Sequence, residues 1–438
     1  MRNVPSTWVM ATMSDIADVR LGRQRSPKNH SGSNMRPYLR AANVTWKGLD
    51  LSDVKQMHFS EDEVAKYRLV PGDILVAEAS GSRGEVGKPA VWRDEIKDCC
   101  FQNTLLRVRA RGPLPEYLRY YLLSEAISGR LGDAARGVGI HHLGAAGLST
   151  FPVPIAPAEE QARIVGKLEE HISRLDEAEN SLHSAERRVR QLRAAVLESA
   201  VAGPWPRHEL GELLKSLRNG LFVSRPSPGP PGTPIYRISA VRPLELDIYD
   251  VRYARVSDSE AAPFFVEAGD LLFTRYSGNP SYVGACAVVP GAAPRALHPD
   301  KLIRGVVDPA MAHPKYVAIA VSVGDGRREI EKRLKTTAGQ VGIAGGQLRT
   351  VPIPLPSLDE QRRIVQEVEL RLTGLSTLSS AIERARRRSD RLRCSVLLRA
   401  FAGELGTHDP GDEPASELLA SIAREPADPP NSRLRKRA

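Results

Sequence analysis

The sequence predicts an α+β protein: two mixed α/β domains separated by a long antiparallel two-helix coiled coil, built on an internal pseudo-twofold repeat. Three observations predict it. Residues 151–203 recur, without a gap, 200 positions later: Pro152, Pro154, Glu160, Gln161, Arg163, Ile164 and Val165 return as Pro352, Pro354, Glu360, Gln361, Arg363, Ile364 and Val365. At the far end Leu192, Arg193, Val196, Leu197, Ala200, Ala202 and Gly203 return as Leu392, Arg393, Val396, Leu397, Ala400, Ala402 and Gly403. A repeat of this kind governs every local reading. Second, both copies carry apolar residues at steps of three and four over roughly 45 residues, or ~68 Å of helix. Third, the stretches upstream of these helices, 1–150 and 204–350, echo each other at an offset of 197, pairing Trp8 with Trp205, Ile16 with Leu213 and Gly72-Asp73 with Gly269-Asp270.

In chain order, the first domain opens with Trp8, Ile16 and Val19 and a polar basic loop at 22–28. Residues 38–44 read as a strand. Val70-Pro71-Gly72-Asp73 supplies turn chemistry before the apolar run Ile74-Leu75-Val76, which reads as a buried strand. A Gly/Ser-rich loop (80–87) and strands near 90–92 and 105–108 follow. Residues 115–131 have helical spacing through Tyr117, Leu118, Tyr121, Leu122 and Ile127. The second domain repeats this scaffold with different loops, including the stiff Pro-rich run 226–234. Different loops on one scaffold are what two binding modules with different targets require.

The first long helix places Val165, Leu168, Ile172, Leu175, Ala178, Leu182, Ala185, Val189, Leu192 and Val196 on one stripe, a heptad seam with one slip at Ala178. The second repeats the slots and the slip. The helix-pair interface is therefore predicted at Leu168, Ile172, Leu175, Leu182, Val189 and Leu192 against Val368, Leu372, Leu375, Ile382, Leu392 and Val396, with the segments near Leu175 and Leu375 together. Beyond 405 the composition turns to Gly, Asp, Pro, Glu and Ser and ends in a basic run. Residues 406–438 are thus expected to be a disordered charged tail, with room for a short helix at 415–424.

Bulk properties narrow the function. The 438 residues carry a net charge of +10, which favours a polyanionic partner, and Arg suits bidentate contact with phosphate or guanine. Cys99, Cys100, Cys286 and Cys394 form no C-x-x-C pair and read as reduced structural thiols of a cytoplasmic protein. No signal-like segment and no apolar run of membrane-spanning length is present.

Candidate chemistry is sparse. Gly81 to Lys88 resembles a phosphate-binding loop, but its glycines are one residue too far apart and Pro89 stands where Ser or Thr must ligate magnesium. Asn279-Pro280-Ser281-Tyr282 resembles the Asn-Pro-Pro-Tyr motif of amino-methyltransferases, in which the Asn and prolyl carbonyl hold the target amine. No glycine-rich cofactor loop accompanies it. His141, His142 and His298 have no companions at metal-ligand spacing, so no metal is expected.

A variable domain, a Pro-x-Pro lead-in with Glu-Gln-x-x-Ile-Val, and a long helix ending in Ala-x-Ala-Gly, all repeated once, resemble the specificity subunit of type I restriction-modification enzymes. The resemblance covers about residues 1–405. It implies a first target-recognition domain at 1–150, a central conserved region at 151–203, a second recognition domain at 204–350 and a C-terminal conserved region at 351–405. It also implies that each domain reads one half of a split double-stranded DNA sequence, while the helices set the spacer and bind two methyltransferase subunits, with restriction/translocase subunits joining that core. S-adenosylmethionine, ATP and magnesium are then expected on the partners, and no cofactor or catalytic residue on this chain. Candidate DNA contacts are Arg23, Arg25, Lys28, Arg36, Arg40 and Arg83 in the first domain. In the second they are Arg218, Arg225, Arg237, Arg242, Arg275, Tyr276 and Asn279. Two readings compete: a stand-alone DNA amino-methyltransferase using Asn279 to Tyr282, and an orphan specificity subunit of a modification-only system.

Overall fold

The structure, a computed structural model, describes residues 4–337, 340–406 and 408–424, without the side chains of Lys28 and Thr337. The chain forms two compact units. Unit 1 combines the residues up to 182 with those from 384 onward, and unit 2 comprises 183–383. Each unit thus joins one globular domain to half of each long helix. The helices that matter below are α1 (Pro115–Ile127), α2 (Ala158–Val201), α3 (Pro314–Ser322), α4 (Leu358–Ala400) and α5 (Ala415–Arg424).

Unit 1 is built on a four-stranded antiparallel sheet in the order Ala17–Leu21, Leu105–Ala110, Ile74–Ala77, Pro89–Val91. Asp73 explains why the Gly-Asp turn recurs. Its buried carboxylate accepts the Val70 N–H at 2.8 Å and binds Arg109 through both oxygens at 2.7 and 2.8 Å, tying the turn to the neighbouring strand. A buried carboxylate is stable only when paired in this way. The edge strand Val9–Thr12 pairs with Pro152–Ile155, so the start of the chain is sewn to the lead-in of α2.

Unit 2 repeats the plan. Its sheet runs Leu214–Asn219, Leu302–Val307, Leu271–Thr274, Cys286–Val288, and Arg207–Glu209 pairs with Pro352–Pro354. Asp270 accepts the Glu267 N–H at 2.6 Å and meets Arg304 Nε at 2.5 Å, the counterpart of the Asp73 device.

The helices α2 and α4 hold 44 and 43 residues. Each begins with two carboxylates in its first turn, where the helix dipole favours negative charge. They pair antiparallel. In unit 1, Leu168 and Ile172 of α2 share a core with Val396, Leu397 and Ala400 of α4, and Arg393 reaches Asp176 at 2.5 Å. In unit 2, Val196, Leu197 and Ala200 share a core with Ile364, Val365, Val368 and Leu372. An antiparallel pair sets the start of one helix against the end of the other. Leu175 and Leu375 accordingly belong to different units, and the expectation that their segments meet is corrected. Val189 and Ile382 are buried, and Leu182 is half-buried. Leu192 and Leu392, expected on the seam, are 47% and 44% exposed. After Val189 the stripe steps by four to Arg193 and then by three to Val196, and the second helix likewise runs through Arg393 to Val396, where Arg393 binds Asp176.

The tail departs from expectation. Residues Ala415, Leu418, Leu419 and Ile422 form one apolar face of α5, and this face completes the core of unit 1. Residues 425–438 of the expected disordered tail lie outside the described residues.

Candidate nucleic-acid interface

At one end of the unit 1 sheet, strands 17–21, 74–77 and 105–110 lead into three segments: 22–43, 78–85 and 102–104. Backbone bonds hold these together: Gly22 N to Leu105 O (3.1 Å), Arg23 N to Phe101 O (3.1 Å) and Glu78 N to Thr104 O (3.0 Å). Gly22 sits so tightly against the Gln102 carbonyl that an added Cβ would lie 2.2 Å from its oxygen. Only glycine fits there. Gly220 in unit 2 meets the Pro299 carbonyl at 2.1 Å in the same way. There the matching segments are 220–240, 275–282 and 298–301.

A hairpin adjoins each cluster. His141–His142 pairs with Ala79–Ser80, and Gln340–Gly342 pairs with both Tyr276–Ser277 and Lys335–Thr337. These hairpins carry the exposed cations Arg136 and Lys335, which the candidate set omits. Their equivalence at an offset of 199 is a signal present in the sequence, but it needs the pairing to acquire meaning.

Eight of the ten candidate arginines belong to these sheet-end segments, with Arg218 and Arg242 on adjoining strands, and their freedom is unequal. Arg23 is 9% exposed, donates to Glu63 at 2.7 Å and lies 4.9 Å from the Phe59 ring centre, so its charge is held inside the domain. Arg36 faces Asp98 at 3.6 Å and Arg40 faces Asp53 at 2.5 Å. Arg25 and Arg83 are exposed, the latter on the short turn Arg83–Glu85. The side chain of Lys28 lies outside the described residues.

In unit 2, Arg237 is paired with Asp250 at 3.0 Å, and Arg225 is exposed. Three of the candidate guanidinium groups lie against aromatic rings: Arg218 on Phe264 (4.8 Å), Arg242 on Tyr282 (4.7 Å) and Arg275 on Tyr276 (4.7 Å); Arg295, outside the candidate set, lies 3.8 Å from the Phe265 ring centre. Each of the three candidates also donates one N–H to a backbone carbonyl, of Pro263, Val241 and Asp300 respectively, so the planar cation is held in place while its remaining N–H groups are left for phosphate or a base edge. Asn279 is exposed, and its Oδ1 accepts from Ser281 N (3.1 Å) and Ser281 Oγ (2.9 Å), capping the turn Pro280–Tyr282.

The repeated Glu-Gln motif plays a different part. Gln161 accepts the Leu114 N–H at 3.1 Å, just before α1, and donates to the Ala156 carbonyl at 2.9 Å. Gln361 accepts the His313 N–H at 2.7 Å, just before α3, and donates to the Pro356 carbonyl at 2.8 Å. Tyr117 and Tyr316 donate their hydroxyls to the carbonyls of Pro154 and Pro354 at 2.8 and 2.9 Å. These buried bonds weld each globular domain to a long helix. Burial also pushes the thiols of Cys99 and Cys100 up to about 12, which makes them poor nucleophiles. Among the described residues no helix is long and apolar enough to cross a membrane.

Comparison with known proteins matches this arrangement along the chain. Residues 5–184 fit the type I restriction modification DNA specificity domain. The EcoKI specificity subunit of Escherichia coli K12 is 30% identical over 97% of this chain and 96% of its own length. The StySPI specificity subunit of Salmonella potsdam is 25% identical over the same shares. Among solved structures, a chain from a study of complex assembly and conformational transition in a type I R-M system has a TM-score of 0.72 at 19% identity, covering 92% of this chain and 99% of that one. The HsdS subunit from Thermoanaerobacter tengcongensis has a TM-score of 0.54 at 20% identity, covering 92% and 98%. With two sheet-end clusters, two welded helices and a full-length relative at this identity, the chain belongs to the family of type I restriction enzyme specificity subunits.

Proposed function

We propose that the chain is the DNA-reading subunit of a type I restriction-modification complex, with each unit binding one half of a bipartite duplex target. The observation that carries this reading is the repeated sheet end, where one scaffold presents two different arginine sets. Phosphate contacts from Arg25, Arg83, Arg225 and Arg242 position the duplex, and a minority of side chains in the loops read base edges. The paired helices α2 and α4 set the spacing between half-sites and offer surfaces to two methyltransferase subunits, through which restriction/translocase subunits join. S-adenosylmethionine, ATP and magnesium belong to those partners, and this chain contributes recognition alone.

The Asn279 side chain supports that assignment, since its carbonyl oxygen already accepts two hydrogen bonds from Ser281 and Tyr282 is covered by Arg242. Matched heptad insertions in the middle of both long helices, read by methylome sequencing, test the proposal. The expected result is a longer spacer between unchanged half-sites, and altered half-sites overturn it. Transfer of label from S-adenosylmethionine to DNA by the purified chain alone would instead establish the stand-alone methyltransferase.

A further inference from the structure

The repeat brings two chemically matched surfaces into being, and they differ in what covers them. In unit 1, Trp8 donates its indole N–H to Glu160 at 3.0 Å. The tail lies over this pair. His408 meets Glu160 at 3.2 Å, Arg163 grips both carboxylate oxygens of Asp412, and Leu405 packs on the core containing Ile164 and Leu168. The Glu160 and Asp412 side chains are left 1% and 7% exposed.

In unit 2 the same positions are Trp205, Glu360, Arg363, Ile364 and Val368, and they line an open groove of about 390 Å³. Among the described residues the Trp205 indole N–H has no acceptor. Arg363 is 64% exposed and holds only carboxylates of its own helix, Glu360 at 2.6 Å and Glu367 at 3.5 Å. The cause is connectivity. After Gly403 the chain folds back over its own unit, whereas after Gly203 it proceeds directly into the strand Arg207–Glu209 and nothing is left over to fill the groove.

We propose that the unit 2 groove receives an extended polypeptide segment of the methyltransferase subunit with the tail's own chemistry: an aliphatic side chain followed, about seven positions on, by a carboxylate for Arg363. The tail occupies the matching face of unit 1, so the two partner copies meet unlike surfaces and the first binds at unit 2. The proposal rests on the partner assignment above.

The full-length chain titrated with methyltransferase subunit, followed by native mass spectrometry and sedimentation, tests it. Two unequal binding steps are expected. Arg363→Glu weakens the first step by about tenfold, the scale of losing one interfacial charge pair, and Asp412→Ala strengthens the second by releasing the tail. A synthetic peptide of residues 404–413 competes with the first step in wild type and not in Arg363→Glu. Since Arg363 is exposed, a thermal melt confirms folding of the variant, and Arg363→Gln provides a milder second reading. Association that is unaffected by both substitutions at Arg363 overturns the groove alone. Absence of any association overturns the partner assignment and the groove with it.

Discussion

Units 1 and 2 use identical joints and different contents. Gln161 and Gln361, and Tyr117 and Tyr316, make the same bonds in the two halves, and Asp73 and Asp270 accept the same turn N–H while pairing with arginines two positions apart in the strand. The sheet ends keep Gly22 and Gly220, the Arg40–Asp53 and Arg237–Asp250 ion pairs and the Ser-Gly at 80–81 and 277–278, and differ at most other loop positions. Arg83 stands where unit 2 has Pro280, and the stacked pairs Arg242–Tyr282 and Arg275–Tyr276 have no aromatic partner in unit 1 at the same positions. The difference teaches that duplication preserved what attaches a domain to the rods and released what faces the ligand. A weld must satisfy buried donors and acceptors, which few residue types can do at fixed geometry. A solvent-facing loop has no such requirement.

Substitutions at unequal positions of the repeat break the comparison most strongly. Phe401 is buried edge-on between Tyr117 and Tyr121, whereas its counterpart in unit 2 is Val201. Phe401→Ala is expected to destabilise unit 1 by about 4 kcal/mol, and Val201→Ala by much less, in denaturant melts resolved by unit-specific proteolysis.

A second asymmetry depends on pH. Burial holds the His298 imidazole at about 4, below its ordinary 6.5, and the nearby Arg304 and Arg218 charges act in the same direction, while its bond to the Phe264 carbonyl opposes them. Between pH 6.5 and 4 the unfolded chain takes up a proton that the folded chain refuses. Stability present above pH 6.5 is therefore lost on acidification through that window, at up to about 1.4 kcal/mol per pH unit. The equivalent residue in unit 1 is Phe101, so His298→Phe should flatten the acid limb of unit 2 and leave unit 1 unchanged.

Where the units agree, the effects should match. Gln161→Ala and Gln361→Ala each leave a buried N–H and a carbonyl unpaired, and each is expected to remove about 2 kcal/mol from its own unit. Markedly unequal losses in urea melts would show that the welds are not equivalent. The smallest effect is on DNA. Arg275→Ala should weaken binding by about 1–2 kcal/mol and lower the salt slope by roughly 1 if the contact is to phosphate. Relaxed specificity at one position of one half-site would identify a base contact instead.

Much of the fold was legible because its signals are local or repeated. The Gly-Asp turns, the two helices and the equivalence of the domains need only neighbouring residues or an offset. Leu192 and Leu392 leave the seam because the stripe steps by four after Val189, and alternating three-four spacing does not say which of two adjacent residues takes a slot. The helix α5 has a core-facing side that local spacing cannot reveal, because that core includes residues as far away in sequence as Met13 and Ile16. Among the candidate contacts, the sequence identifies loops rich in arginine but not the carboxylates that engage them. Glu63, Asp98, Asp53 and Asp250 become partners only on folding.

By itself, then, the sequence determined the duplication, the helical rods and the basic loops, since these follow from periodicity, spacing and charge along the chain. Tertiary structure alone decided which halves of the rods share a unit, which guanidinium groups stay free, and that one end of the repeat is covered by the tail while its twin stays open. Those outcomes depend on distances between residues far apart in sequence, where burial and pairing are settled by packing and not by local preference.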